Sequence, residues 1–330
     1  MLSVVIPTRN RRSRLIETLD GVLAQRPPPG GFEVIVVDNG STDETAVALA
    51  ELEATGGDLL RVVAEPFRGP AAARNAGAAV ARGDLLMFLG DDTEPADDEL
   101  LAAHVALHAT RPEPEYAVLG KVVWDERHGV TPLMRWLDTG PQFAYELLAP
   151  GPVDVAGFFY TAQVSLKKAV FDAAGGFDAR FPYAAVEDME IGVRLRSRGV
   201  VLDYRPELVV LHDHATSLDR WLERMLLVGR SAALLERIQP SDPSPTVAMP
   251  RGAKYLGVRA VAPVFARLDH PAVPPWLQRL RWRVLHHAAY ARGYRRGPPE
   301  ENLAPDGAKP PAAGGAEGAA DRYHRPGSVF

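Results

Sequence analysis

In the stretch LLMFLGDDTEP an apolar run, Leu85 to Leu89, ends in two adjacent aspartates, Asp91 and Asp92. Neighbouring carboxylates repel each other and cost stability unless a cation sits beside them. Such a pair can hold a divalent metal against phosphate groups. A solvated loop, or the N-cap of a helix starting near Asp97, accounts for the same spacing. Pro7, Thr8 and Arg9 follow an earlier apolar run in PTRNR, and Asp38 and Asp43 follow another in DNGSTDE. For the last two, turn formation and capping are the plain alternative. Glu187 and Asp188 open the helical pattern EDMEIGVRLRSRG, where the helix dipole favours negative charge. His212 and His214 stand two apart just past the strand-like run Leu208 to Leu211. Histidine and aspartate together suit a divalent ion.

The elements that must position these residues alternate between two periods. LSVVI (Leu2 to Ile6), EVIVV (Glu33 to Val37), LLRVVA (Leu59 to Ala64) and DLLMFL (Asp84 to Leu89) read as strands buried on both faces. Between them, Leu15, Leu19, Val22 and Leu23 form one apolar helical stripe that stops at the PPPGG break. Ser41 with Glu44 three residues later predicts a capping box for the next helix. The alternation predicts a doubly wound α/β layer with right-handed crossovers. Ligands of such sheets bind beyond the carboxyl ends of the strands, which is where the polar residues collect. There is no GxxxxGK[ST] loop and no GxGxxG after the first strand, so neither a P-loop nor a dinucleotide fingerprint is present.

The whole chain of 330 residues has room for one large domain with an appendage, or for two domains. A formal charge of −5 gives no global nucleic-acid footprint. The absence of cysteine excludes disulfides, thiolate metal sites and a cysteine nucleophile. No apolar run approaches the roughly 18 to 20 residues of a membrane helix. LSVVIP begins a strand at once, so no signal peptide is expected, in keeping with a cytoplasmic protein.

VVIPTRNR, VVDNGSTDET, GPAAARNAGAAVARGDLLMFLGDDT, SLKKAVFDAAGGFD and EDMEIGVRLRSRG resemble, in order and spacing, the family 2 glycosyltransferases, over roughly residues 1 to 220. The resemblance implies an α/β GT-A fold, a Rossmann-like, doubly wound, mostly parallel sheet flanked by helices, with a C-terminal helical appendage. It implies that Asp92 coordinates a metal bridging the donor diphosphate and that Asp91 takes a ribose hydroxyl or a metal-bound water. Many members carry a third aspartate where this chain has Gly90. Asp38 matches the aspartate that meets the nucleobase, where a carboxylate can accept an imino N–H. Pro7, Thr8 and Arg9 line the nucleotide turn, and Arg74 and Asn75 in GPAAARNAG match a segment packed beside the nucleotide. Asp188 matches the catalytic base of the ED motif, with Glu187 supporting it or binding acceptor. A histidine near His212 and His214 is a metal ligand or phosphate contact in related enzymes, and His214 is favoured. Arg220 and Trp221 keep the end of a QxxRW motif, but Ser217 stands where the glutamine belongs, which points away from processive synthesis.

The implied activity is inverting, metal-dependent, non-processive transfer of a sugar from a nucleoside-diphosphate sugar to an acceptor hydroxyl. The metal is Mg2+ or Mn2+, and a UDP-sugar is favoured over GDP- and dTDP-sugars. Acceptors would be glycans or lipid-linked molecules of cell-surface polysaccharide, glycolipid or related glycoconjugate synthesis, with no nucleic acid involved. A sugar-nucleotide pyrophosphorylase-type enzyme and a non-catalytic nucleotide-binding relative are the alternatives. The former would want a basic, glycine-rich loop after the first strand, and IPTRNRR lacks it.

Residues 1–216 are expected to form the catalytic domain, with a donor half to about 115 and an acceptor half to 216. A helical region spans 217–296, with a linker near 240–252, and a disordered tail follows from Gly297. In that region WLQRLRWRVLHHAAYARGYRRG is basic and aromatic, without an acidic residue. It could lie on the anionic inner face of a membrane or near a lipid-linked acceptor. Alternatively, it packs a Trp and Leu face inward and leaves its arginines in solvent.

Overall fold

The computed structural model describes residues 1–66, 69–239, 253–268, 270 and 273–298. The expected linker, and the expected tail from residue 299 onward, lie outside the described residues. The first half alternates as its periods predict: β1 (Leu2–Thr8), α1 (Arg12–Leu23), β2 (Phe32–Asp38), α2 (Thr45–Gly56), β3 (Leu60–Ala64), α3 (Pro70–Val80) and β4 (Leu85–Leu89). A second series follows: β5 (Thr93–Pro95), α4 (Leu100–Thr110), β6 (Tyr116–Trp124), α5 (Pro132–Leu137), β7 (Gly151–Val153), α6 (Val155–Phe158), β8 (Gln163–Lys167), α7 (Lys168–Ala173), α8 (Glu187–Ser197) and β9 (Val201–His212). Three helices end the described chain: α9 (Leu218–Ile238), α10 (Ala253–Ala266) and α11 (Pro275–Arg296).

One sheet joins both series in the order β3-β2-β1-β4-β8-β6-β9-β5, with β7 also on β9. β1 to β4 are parallel to one another. From β8 onward the sheet is mixed, since β8 runs antiparallel to both β4 and β6 while β9 is parallel to β6. The parallel layer therefore ends at β4. A parallel neighbour needs a crossover helix, whereas β8 arrives from the opposite direction and needs none on that face.

Register is what brings the site together. Thr8 pairs with Asp38, so the carboxyl ends of β1 and β2 stand level. Thr93 pairs with His212, which brings the end of β9 beside the chain leaving β4. Leu15, Leu19 and Val22 of α1 are buried as their spacing predicts, while Leu23 is half-buried. The Ser41–Glu44 capping box is not formed. Glu44 occupies the N-cap position without a side-chain bond, and Ser41 Oγ instead accepts from the Asn10 N–H at 3.0 Å.

The basic helix α11 packs on α9, with Trp282, Val284, Leu285 and Ala289 buried. The two backbones touch, because a Cβ on Gly293 would lie 1.9 Å from the Leu226 carbonyl oxygen. Arg279, Arg283 and Arg292 remain exposed, so the inward-packing alternative describes most of this helix. Trp221 is buried in the same cluster as Trp136 and Trp282, and Ser217 Oγ caps α9 by accepting from Arg220 N–H. No helix among the described residues is long and apolar enough to cross a membrane.

Gly77 decides how closely α3 can approach the sheet. A Cβ there would meet Val5 Cγ1 at 2.4 Å and Val37 Cγ2 at 3.0 Å. Alanine is the better helix former by about 1 kcal/mol, but overpacking a filled core costs about 1–3 kcal/mol. Gly77→Ala is therefore expected to lower stability in urea unfolding, and a raised midpoint would show that the sheet yields there.

Candidate active site

β4 releases the chain into a short turn that carries Asp91 and Asp92, and β5 follows directly. Neither aspartate caps a helix. The turn into α4 is made by Asp97, whose Oδ1 accepts from the Glu99 N–H at 3.0 Å. Thr8 Oγ1 at the end of β1 donates to Asp91 Oδ2 at 2.8 Å. Arg11 Nη1 donates to Asp92 Oδ2 at 2.5 Å and lies 3.1 Å from His214 Nδ1. His214 Nδ1 is 3.0 Å from the same Asp92 oxygen, and His212 Nε2 is 3.5 Å from it. The two imidazoles stack at 5.4 Å, and Trp124 covers the far face of the pair with its ring 5.0 Å from His212.

This arrangement separates the two carboxyls. Burial, then the charge of Asp92, pushes Asp91 up to about 6. Burial also opposes the Asp92 anion, but His212, His214 and Arg11 overcome it and hold Asp92 well below the usual carboxylate range. His214 gains from its bond to Asp92, yet burial and the Arg11 charge outweigh that gain and lower it. Its ring is therefore mainly neutral at pH 7, the form that binds metals.

Ligand atoms of Asp92, His212 and His214 all lie within 4.8 Å of one another. One carboxylate and two imidazoles fit a divalent cation. The Arg11 guanidinium already brings positive charge to that point, which shows what the cluster demands. A second grouping, Glu17, His128 and Asp213, has similar spacing. There, however, the Arg14 guanidinium contacts all three residues.

The loops after β1 and β2 are laced together. Asn10 Oδ1 accepts from Thr42 N–H at 2.7 Å, and Asp38 Oδ1 accepts from Ser41 N–H at 2.9 Å. Asp43 Oδ1 takes the Thr45 N–H at 3.0 Å, so it serves the entrance of α2. Arg9 Nε and Asn39 Oδ1 are buried in these loops without a hydrogen-bond partner. One is a donor and the other an acceptor, and such orphans call for an explanation.

Arg74 and Glu187 form a second buried cluster. Arg74 Nη1 donates to Glu187 Oε1 at 2.9 Å, with the side chains 9% and 3% exposed. Arg74 Nε and Glu187 Oε2 are left without partners. Asn75 commits its whole amide to Phe177, accepting from its N–H and donating to its carbonyl, both at 2.8 Å. The side chains expected beside the nucleotide are thus engaged with the acceptor-half residues instead. Asp188 stands in the first turn of α8, where its Oδ1 accepts from Met189 N–H at 2.9 Å. Burial, then the neighbouring Glu187, pushes it up to about 7, against the pull of Arg74. Val186, just ahead of the pair, has φ 76°, a left-handed conformation that is strained for a β-branched residue.

Sequence reasoning passed over Arg11. Its signal was the run RNRR after the first strand, but nothing local distinguishes Arg11 from Arg9 or Arg12. The pairing of Arg74 with Glu187 spans 113 residues and has no local signature either.

A half-parallel, half-mixed sheet with an acidic and imidazole cluster at the carboxyl edge defines a GT-A architecture. Residues 3–161 match the model of glycosyl transferase family 2, and that domain of the chain belongs to the family. It is 30% identical over 263 residues to the pre-mycofactocin glycosyltransferase of Mycobacterium tuberculosis, covering 74% of this chain and 50% of the relative. It is 34% identical over 226 residues to the validoxylamine A glucosyltransferase of Streptomyces hygroscopicus, covering 61% and 49% respectively. The chain thus spans about half the length of these curated relatives. Among solved structures, a mannosyltransferase from Pyrobaculum calidifontis in complex with GDP-Man and Mn2+ is similar at a TM-score of 0.62 and 21% identity, over 89% of this chain and 87% of that one. TarS 1–349 from S. aureus in complex with UDP matches at 0.52 and 16% identity, over 89% and 91%. At such identities the likeness shows the fold.

The charge balance around Arg11 gives a direct test. Arg11→Ala leaves two partly buried carboxylates facing each other. Allowing for screening of a side chain that is 33% exposed, it should cost about 1–3 kcal/mol at pH 8. The cost should shrink as pH falls through about 6, where Asp91 takes up a proton and the repulsion ends. Urea unfolding of both proteins at pH 5 and pH 8 measures it, and an equal cost at both values would rule out charge repulsion.

Proposed function

We propose that this chain is a glycosyltransferase moving a sugar from a nucleoside-diphosphate sugar to an acceptor hydroxyl, by an inverting, metal-dependent, non-processive displacement. The observation that carries the reading is the convergence of Asp92, His212 and His214 on one point at the carboxyl edge of the sheet. They would hold Mg2+ or Mn2+, and when bound the cation would offset the charge that develops on the leaving diphosphate. The similar mannosyltransferase complex with GDP-Man and Mn2+, and the similar TarS complex with UDP, support a nucleotide-sugar donor and a divalent ion.

Pro7, Thr8, Arg9 and Asp38 would form the nucleotide pocket, with a UDP-sugar favoured. A nucleobase offers both donors and acceptors, which is what the orphaned Asn39 Oδ1 and Arg9 Nε lack. Asp91, held by Thr8, would take a ribose hydroxyl. Residues 1–216 would be the catalytic domain, with its donor half to about 115. Arg74 and Asn75 act by position, tying α3 to Glu187 and to the Phe177 turn.

Asp188 is the proposed general base. It takes the proton of the acceptor hydroxyl as the acceptor oxygen bonds to the anomeric carbon. The bond from that carbon to the diphosphate oxygen breaks, and the diphosphate leaves with the electron pair. Glu187, fixed by Arg74, acts on the neighbouring Asp188 through its electrostatic field and so raises the basicity of Asp188. The product would belong to cell-surface polysaccharide, glycolipid or related glycoconjugate synthesis at the cytoplasmic face of a membrane.

Two measurements test this reading. Only the ionised Asp188 accepts a proton, so kcat should rise with pH and level off above an apparent value of about 7. Asp188→Asn should retain nucleotide binding and lower kcat by about 10²–10⁴, whereas loss of a cap alone would cost about 1 kcal/mol of stability and leave turnover intact. Separately, Asp92→Ala should abolish the Mn2+-dependent part of nucleotide affinity. Affinity unchanged by both this substitution and a chelator would sink the metal role.

A further inference from the structure

One well-formed cavity lies outside the cluster at the sheet edge. It is an open groove of about 670 Å³ between α5 and the start of α11, a size that suits a small amphiphile. Pro132, Leu133, Trp136 and Trp282 give it apolar walls. Arg279 and Arg283 stand at its edge, exposed and without a carboxylate partner among the described residues. Gln278 also lines it, and its Oε1 is buried with no hydrogen-bond partner. Beside the groove, on the solvent-facing stripe of α11, Trp276 and Leu280 are 67% and 40% exposed. They are spaced four apart and interleaved with the two arginines, so apolar surface and positive charge share one stripe. Exposed tryptophan and leucine beside unbalanced arginines fit the boundary between anionic head groups and hydrocarbon.

The groove is also joined to the active-site cluster. Trp136 and Trp282 meet at 5.7 Å within an apolar cluster against which Trp124 packs. Trp124 Nε1 donates to the Met134 carbonyl of α5 at 3.0 Å, while its ring stacks on His212. One indole therefore has α5 on one side and a candidate metal ligand on the other.

We propose that this groove binds a lipid phosphate drawn from a bilayer surface. Its chain lies against Trp136, Trp282 and Leu133, and its phosphate is held by the Arg279 and Arg283 guanidiniums, whose planar forks match phosphate oxygens. Its role as the anchor of a lipid-borne acceptor rests on the proposed glycosyl transfer; the binding itself does not.

Isothermal titration of the full chain with decyl phosphate below its micellar concentration tests the site, alongside inorganic phosphate and neutral decyl maltoside. The full chain should bind decyl phosphate at least about 100-fold more tightly than inorganic phosphate, because the chain buries apolar surface. It should also bind it at least about tenfold more tightly than the maltoside, because two charge-assisted contacts are at stake. The double variant Arg279→Gln/Arg283→Gln, altered at exposed positions, should lose about tenfold or more, and Thr139→Trp should block the groove. Inorganic phosphate binding as tightly as decyl phosphate would reduce the site to an anion patch, and maltoside binding equally well would reduce it to an apolar surface. Affinity unchanged in the double variant overturns the proposal, with melting curves confirming that the variants fold. Nucleotide titration with Mn2+ on the same samples keeps the two readings apart. Nucleotide binding without decyl phosphate binding removes the groove proposal alone, and the converse removes the transferase reading alone.

Discussion

Asp91 and Asp92 place two negative charges on neighbouring residues, each 14% exposed, at the end of a buried strand. Water cannot fully screen them, so cationic or donor groups must converge before the edge of the sheet is stable. Thr8 arrives from β1, Arg11 from the start of the first crossover, and both histidines from the end of β9. The pairing of β5 with β9 serves the same need, because it sets His212 level with Thr93, next to Asp92. The compensation is unequal, and that inequality is useful. Asp92 is held as an anion while Asp91 is pushed towards neutrality, so one carboxyl is kept in the form that binds a cation.

The parallel layer was legible because its strands are buried on both faces and read as unbroken apolar runs. The Asp92, His212 and His214 set was also legible, since metal-binding residue types at strand ends are few. What escaped were the arginine pairings, which no motif of their own announces. Arg11 meets Asp92 across 81 residues and Arg74 meets Glu187 across 113. The Ser41–Glu44 pattern failed because α2 starts at Thr45 with Glu44 itself at the N-cap, while the Ser41 hydroxyl accepts from the distant Asn10 N–H. In the second half, β6 and β8 pair antiparallel in register that no turn signature announces. Between β6 and β7 the chain folds into α5, which forms one wall of the groove and carries no motif that names its partner.

Two acidic pairs thus receive opposite treatment from similar parts. At Asp91–Asp92 the cationic groups dominate and one member stays ionised. At Glu187–Asp188 a single guanidinium is spent on Glu187, and Asp188 is left near neutrality in a strained turn. Burial alone would raise both members of either pair. The difference lies in where the few arginines are directed, and their placement is fixed by α1 and α3 rather than by the acidic segments themselves.

The three-residue strand β5 has a consequence for the order in which the molecule assembles. β1 pairs with β2, and β2 with β3, across single crossover helices. The Thr93–His212 pairing closes a loop of more than a hundred residues through a ladder of three residue pairs, so its entropy cost is high and its local reward small. The corner that carries Asp92 is therefore expected to be the last part of the sheet to zip shut and the first to open. Its amides would exchange with solvent ahead of those in β1 and β2, and a bound cation would clasp the turn after β4 to the end of β9 in time as well as in space.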